Sequence, residues 1–115
     1  FIISECETLG LKSPIFVKLP EITRGQAETV VMGLNEAKID EKESIAIFNI
    51  DTFRPNFRFS RRFDLDKIDG YLEVFRGSGT NWSYVRSIAT DTCRVIETAE
   101  KVQISDLCCT GLYYF

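Results

Sequence analysis

Asp51 stands directly after the apolar run Ile45-Ala46-Ile47-Phe48-Asn49-Ile50, and a carboxylate at that place is hard to explain by packing. A β-branched run of this length, bounded by polar residues, reads as a strand buried on both faces, and open α/β sheets bind ligands at the carboxyl ends of such strands. Asp51 is therefore a candidate for chemistry. The competing reading is an aspartate that opens the next turn and caps its backbone. A second concentration of reactive types follows, where Phe53, Phe57, Phe59 and Phe63 interleave with Arg54, Arg58, Arg61 and Arg62. Single-stranded nucleic-acid proteins use that mixture to stack bases and track phosphates. The alternative packs the rings underneath, with the arginines in solvent or paired to Asp64, Asp66 and Asp69. A net charge of −3 over the whole chain favours packing, and no nucleic-acid partner is expected.

Other chemistries are excluded by composition. The chain has no histidine, which removes Ser-His and Cys-His nucleophilic catalysis and any mixed zinc site. Cys6, Cys93, Cys108 and Cys109 lack C-x-x-C spacing and read as buried free thiols of a reducing compartment. No apolar stretch reaches the length of a membrane span or a signal-peptide core, so a soluble, cytoplasmic protein without a membrane partner is expected. With 115 residues, 44% of them apolar, the chain can bury one modest core.

The elements that must position Asp51 follow from periodicity. Residues 1–4 read as a strand, residues 5–11 as a short helix or turn ended by Gly10 and Pro14, and residues 15–19 as a second strand. From Gly25 to about Lys38, Ala27, Val30, Val31, Leu34 and Ala37 follow the spacing of one helical face, and Thr23 with Gln26 matches a capping box. Strand, helix and strand in that order predict a parallel βαβ unit with a right-handed crossover. Beyond Asp51, Asp69-Gly70 marks a turn, residues 71–75 alternate, and residues 77–81 form a loop. Residues 82–88, 93–98 and 110–115 read as further short antiparallel strands. The fold class expected is α/β, a mixed, mainly parallel Rossmann-like sheet, incomplete, with antiparallel strands in the C-terminal half. Because Phe1-Ile2-Ile3 and the stretch from Gly111 to Phe115 both read as strand, the chain is expected to be the central fragment of a longer domain.

Three stretches, taken in order, resemble successive motifs of the sugar-1-phosphate nucleotidylyltransferases, the nucleoside-diphosphate-sugar pyrophosphorylases. They are Thr23-Arg24-Gly25-Gln26-Ala27-Glu28-Thr29; Phe48-Asn49-Ile50-Asp51-Thr52; and Ala99-Glu100-Lys101, followed by Ser105-Asp106 and by Thr110 to Phe115. The resemblance covers nearly the whole chain and implies a nucleotide-diphospho-sugar transferase type of sheet. It implies that residues 1–52 form the nucleotide and metal part and residues 53–115 the sugar-phosphate part. Thr23, Gly25 and Gln26 would lie at the nucleotide, with Gly25 under base and ribose. Asp51 would be catalytic as the ligand of Mg²⁺, a hard oxygen donor for a hard cation. Ser83, Glu100, Lys101, Thr110 and Gly111 would bind the sugar phosphate, Glu100 through its hydroxyls and Lys101 through its phosphate.

The reaction implied is attack of a sugar-1-phosphate oxygen on the α-phosphorus of a nucleoside triphosphate, with pyrophosphate leaving, in cell-envelope or capsular polysaccharide synthesis. Catalysis of that kind rests on alignment and charge neutralisation and needs no histidine. The family's glycine-rich, arginine-bearing loop and its second acidic metal ligand have no counterpart within the 115 residues. Val102 follows Glu100-Lys101 where proline is usual, and Ser83 stands where a glycine often contacts the sugar. The chain alone is thus expected to be inactive, and to self-associate through an exposed sheet edge. Two other classes stay open. A nucleotide-sugar-dependent glycosyltransferase shares the architecture but typically carries two carboxylates one residue apart, and Asn49 stands two before Asp51. A noncatalytic interaction module gains from the missing loop and from the phenylalanine-rich segment.

Overall fold

A computed structural model describes residues 1–89 and 92–115, which divide into two units, Phe1–Glu43 and Ser44–Phe115. The first unit holds helices α1 (Ile2–Thr8) and α2 (Gln26–Glu36). Residues 1–4 are therefore helical at their core, not a strand. Glu5 N–H donates to Phe1 O at 3.0 Å and Leu9 N–H to Glu5 O at 2.9 Å, bonds that satisfy the backbone locally where a strand needs a neighbour. Residues 15–19 form no strand either. They lie between Pro14 and Pro20, which lack backbone donors, and Ile15 and Phe16 are exposed. Without a strand before α2, the parallel βαβ unit does not form.

Helix α2 matches its apolar spacing, but its start is built differently from the expected capping box. Gly25 is the N-cap and has no side chain to offer. Glu28, three residues on, reaches back to accept from Arg24 N–H at 2.6 Å and from the Arg24 guanidinium at 2.9 and 3.1 Å. Thr23 instead bonds the Thr29 hydroxyl at 2.6 Å. The Arg24 contacts, first through the side chain and then through the backbone, hold the Glu28 carboxyl below the usual range.

The second unit is one antiparallel sheet of β1 (Ala46–Phe48), β2 (Tyr71–Arg76), β3 (Ser83–Ser87), β4 (Val95–Glu100) and β5 (Leu107–Tyr114). Its pairings are β1–β5, β5–β3, β3–β4 and β2–β5, all antiparallel. The mainly parallel sheet expected from sequence is thus not what these strands build. The apolar run supplies only residues 46–48 as strand, with Phe48 46% and Ile50 99% exposed, so it is not buried on both faces. An apolar run reports hydrophobicity; the direction of its partner is set by β5, which is not visible from the run itself.

β2 runs along Leu107 to Tyr114 on one edge of β5. A strand has two edges, so β1, paired at Leu112–Tyr114, and β3, paired at Cys108, share the other. The buried apolar side chains, Tyr84, Val85, Cys108, Cys109 and Leu112, sit on β3 and β5, where strands flank on both sides. All four cysteines are free; Cys108 and Cys109 are buried, Cys6 is half-buried and Cys93 exposed, so the thiols are unpaired as expected but only two are buried.

Candidate functional site

The chain leaves β1 along β5 and turns. Asn49 N–H donates to Gly111 O at 3.0 Å, Thr52 N–H closes a turn on Asn49 O at 3.1 Å, and the Thr52 hydroxyl donates to Thr110 O at 3.1 Å. Asp51 is thereby held at an exposed corner over residues 110–111. Gly111 makes this approach possible. Its φ of +92° suits glycine, and a Cβ there would come within 2.5 Å of the Asn49 side-chain nitrogen. The neighbours of Asp51, Asn49 and Thr52, are therefore bonded to the backbone of Gly111 and Thr110, two further residues singled out from sequence.

The other half of the constellation lies where β3 begins beside the same edge. Ser83 pairs with Glu100 across β3–β4, its hydroxyl donates to the Glu100 carboxylate, and Lys101 Nζ lies 3.6 Å from Glu100 Oε1. Lys101 N–H donates to Trp82 O at 3.0 Å and Lys101 itself takes a left-handed φ of 57°, which fixes the direction in which the Glu100-Lys101 step leaves the strand. The phenol of Tyr113 is pushed up by burial first and then by the charges of Cys109 and Glu100. Burial likewise pushes up the Cys109 thiol, helped by Cys108 and Glu100. Ser83, Glu100 and Lys101 thus form one polar cluster on this edge, with Tyr113 and Cys109 beneath it.

Thr23, Gly25 and Gln26 lie in the first unit, at the start of α2. A Cβ on Gly25 would meet nothing within 4 Å, and its φ of 167° is ordinary extended backbone, so the helix itself does not require glycine there.

One residue of this set, Asp51, is the expected metal donor. Asp51 presents a single exposed carboxylate, and no group of three His, Cys, Asp or Glu that could hold a metal gathers among the described residues. That donor set suits Mg²⁺, which commonly binds through one or two carboxylates and substrate phosphates, better than a dedicated protein cage.

Sequence reasoning missed Glu73 and Tyr113. Glu73 accepts from Arg54 and, at 2.7 Å, from the Thr110 hydroxyl, with 14% of its side chain exposed. A carboxylate midway along an alternating strand was the available signal. In the arginine-rich segment, Phe57, Phe59 and Phe63 pack edge-on against one another or against Tyr71 and Tyr114, while Phe53 stays exposed. The rings are largely used in packing, and Arg54 pairs with Glu73 instead of Asp64, which takes Lys67 at 2.8 Å. A cavity of 610 Å³ opens beside Phe63, Leu72, Val85, Val95 and Leu107, but none of the site residues expected from sequence lines it. No helix among the described residues is long and apolar enough to cross a membrane.

A solved structure described as the nucleoside-diphosphate-sugar pyrophosphorylase from Vibrio cholerae RC9 is 48% identical to this chain, with a TM-score of 0.87. The similarity covers 99% of this chain and 47% of that one, so the chain spans about half the length of this relative. No protein-family model and no curated protein matches the chain.

Proposed function

The chain belongs to the nucleoside-diphosphate-sugar pyrophosphorylase family, and on that premise we propose that it carries part of the site that transfers a nucleotidyl group from a nucleoside triphosphate to a sugar-1-phosphate, releasing pyrophosphate. The observation that supports this most is the shared edge of β5, along which the Asp51 turn and the Ser83–Glu100–Lys101 cluster flank residues 109–111. In this reading Glu100 orients the sugar by accepting from its hydroxyls, Lys101 meets the sugar phosphate, and Thr110 and Gly111 present backbone to the same ligand. Thr23, Gly25 and Gln26 serve the nucleotide, and the bare Gly25 lets the base approach closely. Asp51 would hold Mg²⁺, which when bound neutralises phosphate charge. The protein's own contribution is alignment of two anions, since phosphoryl chemistry asks little covalent work of side chains. The product would feed polysaccharide synthesis in the cytoplasm.

The test compares the 115-residue chain with a protein spanning the relative's full length, each incubated with Mg²⁺, nucleoside triphosphates and sugar-1-phosphates while pyrophosphate is followed. The longer protein should release pyrophosphate only when both substrates are present, and Asp51→Ala should lower kcat by roughly a hundredfold to a thousandfold. The shorter chain should release none. Gly25→Ser keeps a good N-cap, so it should weaken nucleotide binding and leave the melting of α2 unchanged. Release by the long protein that survives Asp51→Ala at full rate contradicts the proposal.

A further inference from the structure

The carboxylate of Glu73, with 14% of the side chain exposed, is bonded from two directions. One oxygen accepts from the Arg54 guanidinium and the other from the Thr110 hydroxyl at 2.7 Å. Arg54 follows Asp51 by three residues, and Thr110 is the residue whose carbonyl receives the Thr52 hydroxyl at 3.1 Å. The backbone on the other side of Asp51 is fixed as well, by Asn49 N–H on Gly111 O at 3.0 Å. Three residues around the exposed carboxylate, Asn49, Thr52 and Arg54, are therefore tied to β5 at Gly111 and Thr110 and to β2 at Glu73.

We infer that Glu73 is a positioning residue, whose carboxylate, bridging Arg54 and Thr110, sets the orientation of the turn that presents Asp51. It touches neither substrate nor metal. The physical case is one of geometry. Asp51 stands in solvent, where a turn free to rotate would spread its carboxylate over many directions, and a single ligand to a divalent cation has no companion carboxylate to correct its aim. A nearly buried carboxylate that is bonded to a guanidinium is among the stronger hydrogen-bonding arrangements available. Removing it frees the Arg54 guanidinium into solvent, since 41% of that side chain is already exposed, and leaves the Thr110 hydroxyl only the Glu73 carbonyl at 3.4 Å. This inference rests on the Asp51 role proposed above for its purpose, but the clamp itself can be judged separately.

Backbone amide hydrogen exchange and Mn²⁺-induced NMR line broadening on the 115-residue chain test both parts. Glu73→Ala should speed exchange at Asn49 and Thr52 by roughly tenfold or more, with Val85 and Thr98 in β3 and β4 unchanged. Glu73→Gln, whose amide oxygen can accept from only one of the two donors, should fall between. Thr110→Val removes one hydroxyl at constant shape and should reproduce the loosening should Glu73→Ala fail to fold. In the native chain, Mn²⁺ should broaden the amides of residues 50–52, and the clamp variants should weaken that broadening at equal Mn²⁺. Exchange that is unchanged at Asn49 and Thr52, or that rises equally at Val85 and Thr98, overturns the clamp. Loosening without any loss of Mn²⁺ broadening overturns its positioning role. Absence of broadening in the native chain counts against Asp51 as a metal ligand, and the exchange rates then uphold or overturn the clamp on their own.

Discussion

At the scale of single residues, Gly111 is the position where local geometry and the proposed chemistry coincide. Its left-handed φ and the Asn49 side chain against it leave no room for a Cβ. Gly111→Ala should destabilise the β unit by about 2 kcal/mol or more, from backbone strain and displacement of Asn49 together. A lower denaturation midpoint, with the Asn49 amide signal moved, would report it. A midpoint equal to the parent's would show that the turn adapts. Glu28 makes a different kind of prediction. Its folded pKa is depressed by Arg24, so its contribution to the start of α2 is present above the ordinary glutamate range and is lost as pH falls through the lower folded value. The Arg24 amide resonance should therefore titrate in acid with Glu28, and Glu28→Gln should remove that titration.

Elements differ in how much of themselves the sequence discloses. Helix α2 was legible because Ala27, Val30, Val31, Leu34 and Ala37 repeat at helical spacing, and β2 to β4 were legible from alternation and turn residues, whereas β5 begins at Leu107, three residues before the stretch 110–115 expected as strand. Residues 1–4 were misread because Ile2 and Ile3 favour strands in isolation, whereas the chain gains local helical bonds without needing a partner. Residues 15–19 were misread for the same cause, since an apolar stretch becomes a strand only where an edge receives it. Direction of pairing was the largest gap. It depends on β5, some 60 residues beyond β1, and no pattern within residues 45–50 encodes it. Of the candidate site, the turn holding Asp51 is bonded through Asn49 and Thr52 to Gly111 and Thr110, which sequence order only hinted at, and Ser83 meets Glu100 by strand register. Glu73 escaped because a bonded carboxylate and a solvated one look alike in a sequence.

For the whole molecule, burial sets the response to pH. The phenols of Tyr71, Tyr84 and Tyr113 and the thiol of Cys109 are all pushed up, in each case by burial first. Such groups hold their protons more tightly folded than unfolded. Their contribution is complete below the unfolded values, about 8.5 for a thiol and about 10 for a phenol, and is lost as pH rises through the higher folded ones. The thermal midpoint should hold steady near neutrality and fall as pH climbs past about 9, tracked by tyrosinate absorbance near the end of the transition. Steady stability to higher pH would show that these rings ionise without cost. Exposed apolar side chains give a second expectation. Ile22, Ile50 and Phe1 are almost wholly in solvent and Phe53 is 89% exposed, and surfaces of that kind tend to associate. Sedimentation velocity should show mass above the monomer's, growing with concentration. A single monomeric boundary at every concentration would contradict it.

The two-sided position of β5 carries a consequence in time. β1, β2 and β3 each pair with it, and among the described residues only the β3–β4 pair joins strands that are neighbours in sequence. Until residues 107–114 join, the turn at Asp51 has no strand to bond through Asn49 and Thr52, and Glu73 has no hydroxyl to receive. Loop closure over some sixty residues must be met before those contacts repay it, so the β unit should fold late and as a whole, from the hairpin outward, and the candidate site should come into being in the same step that completes the sheet.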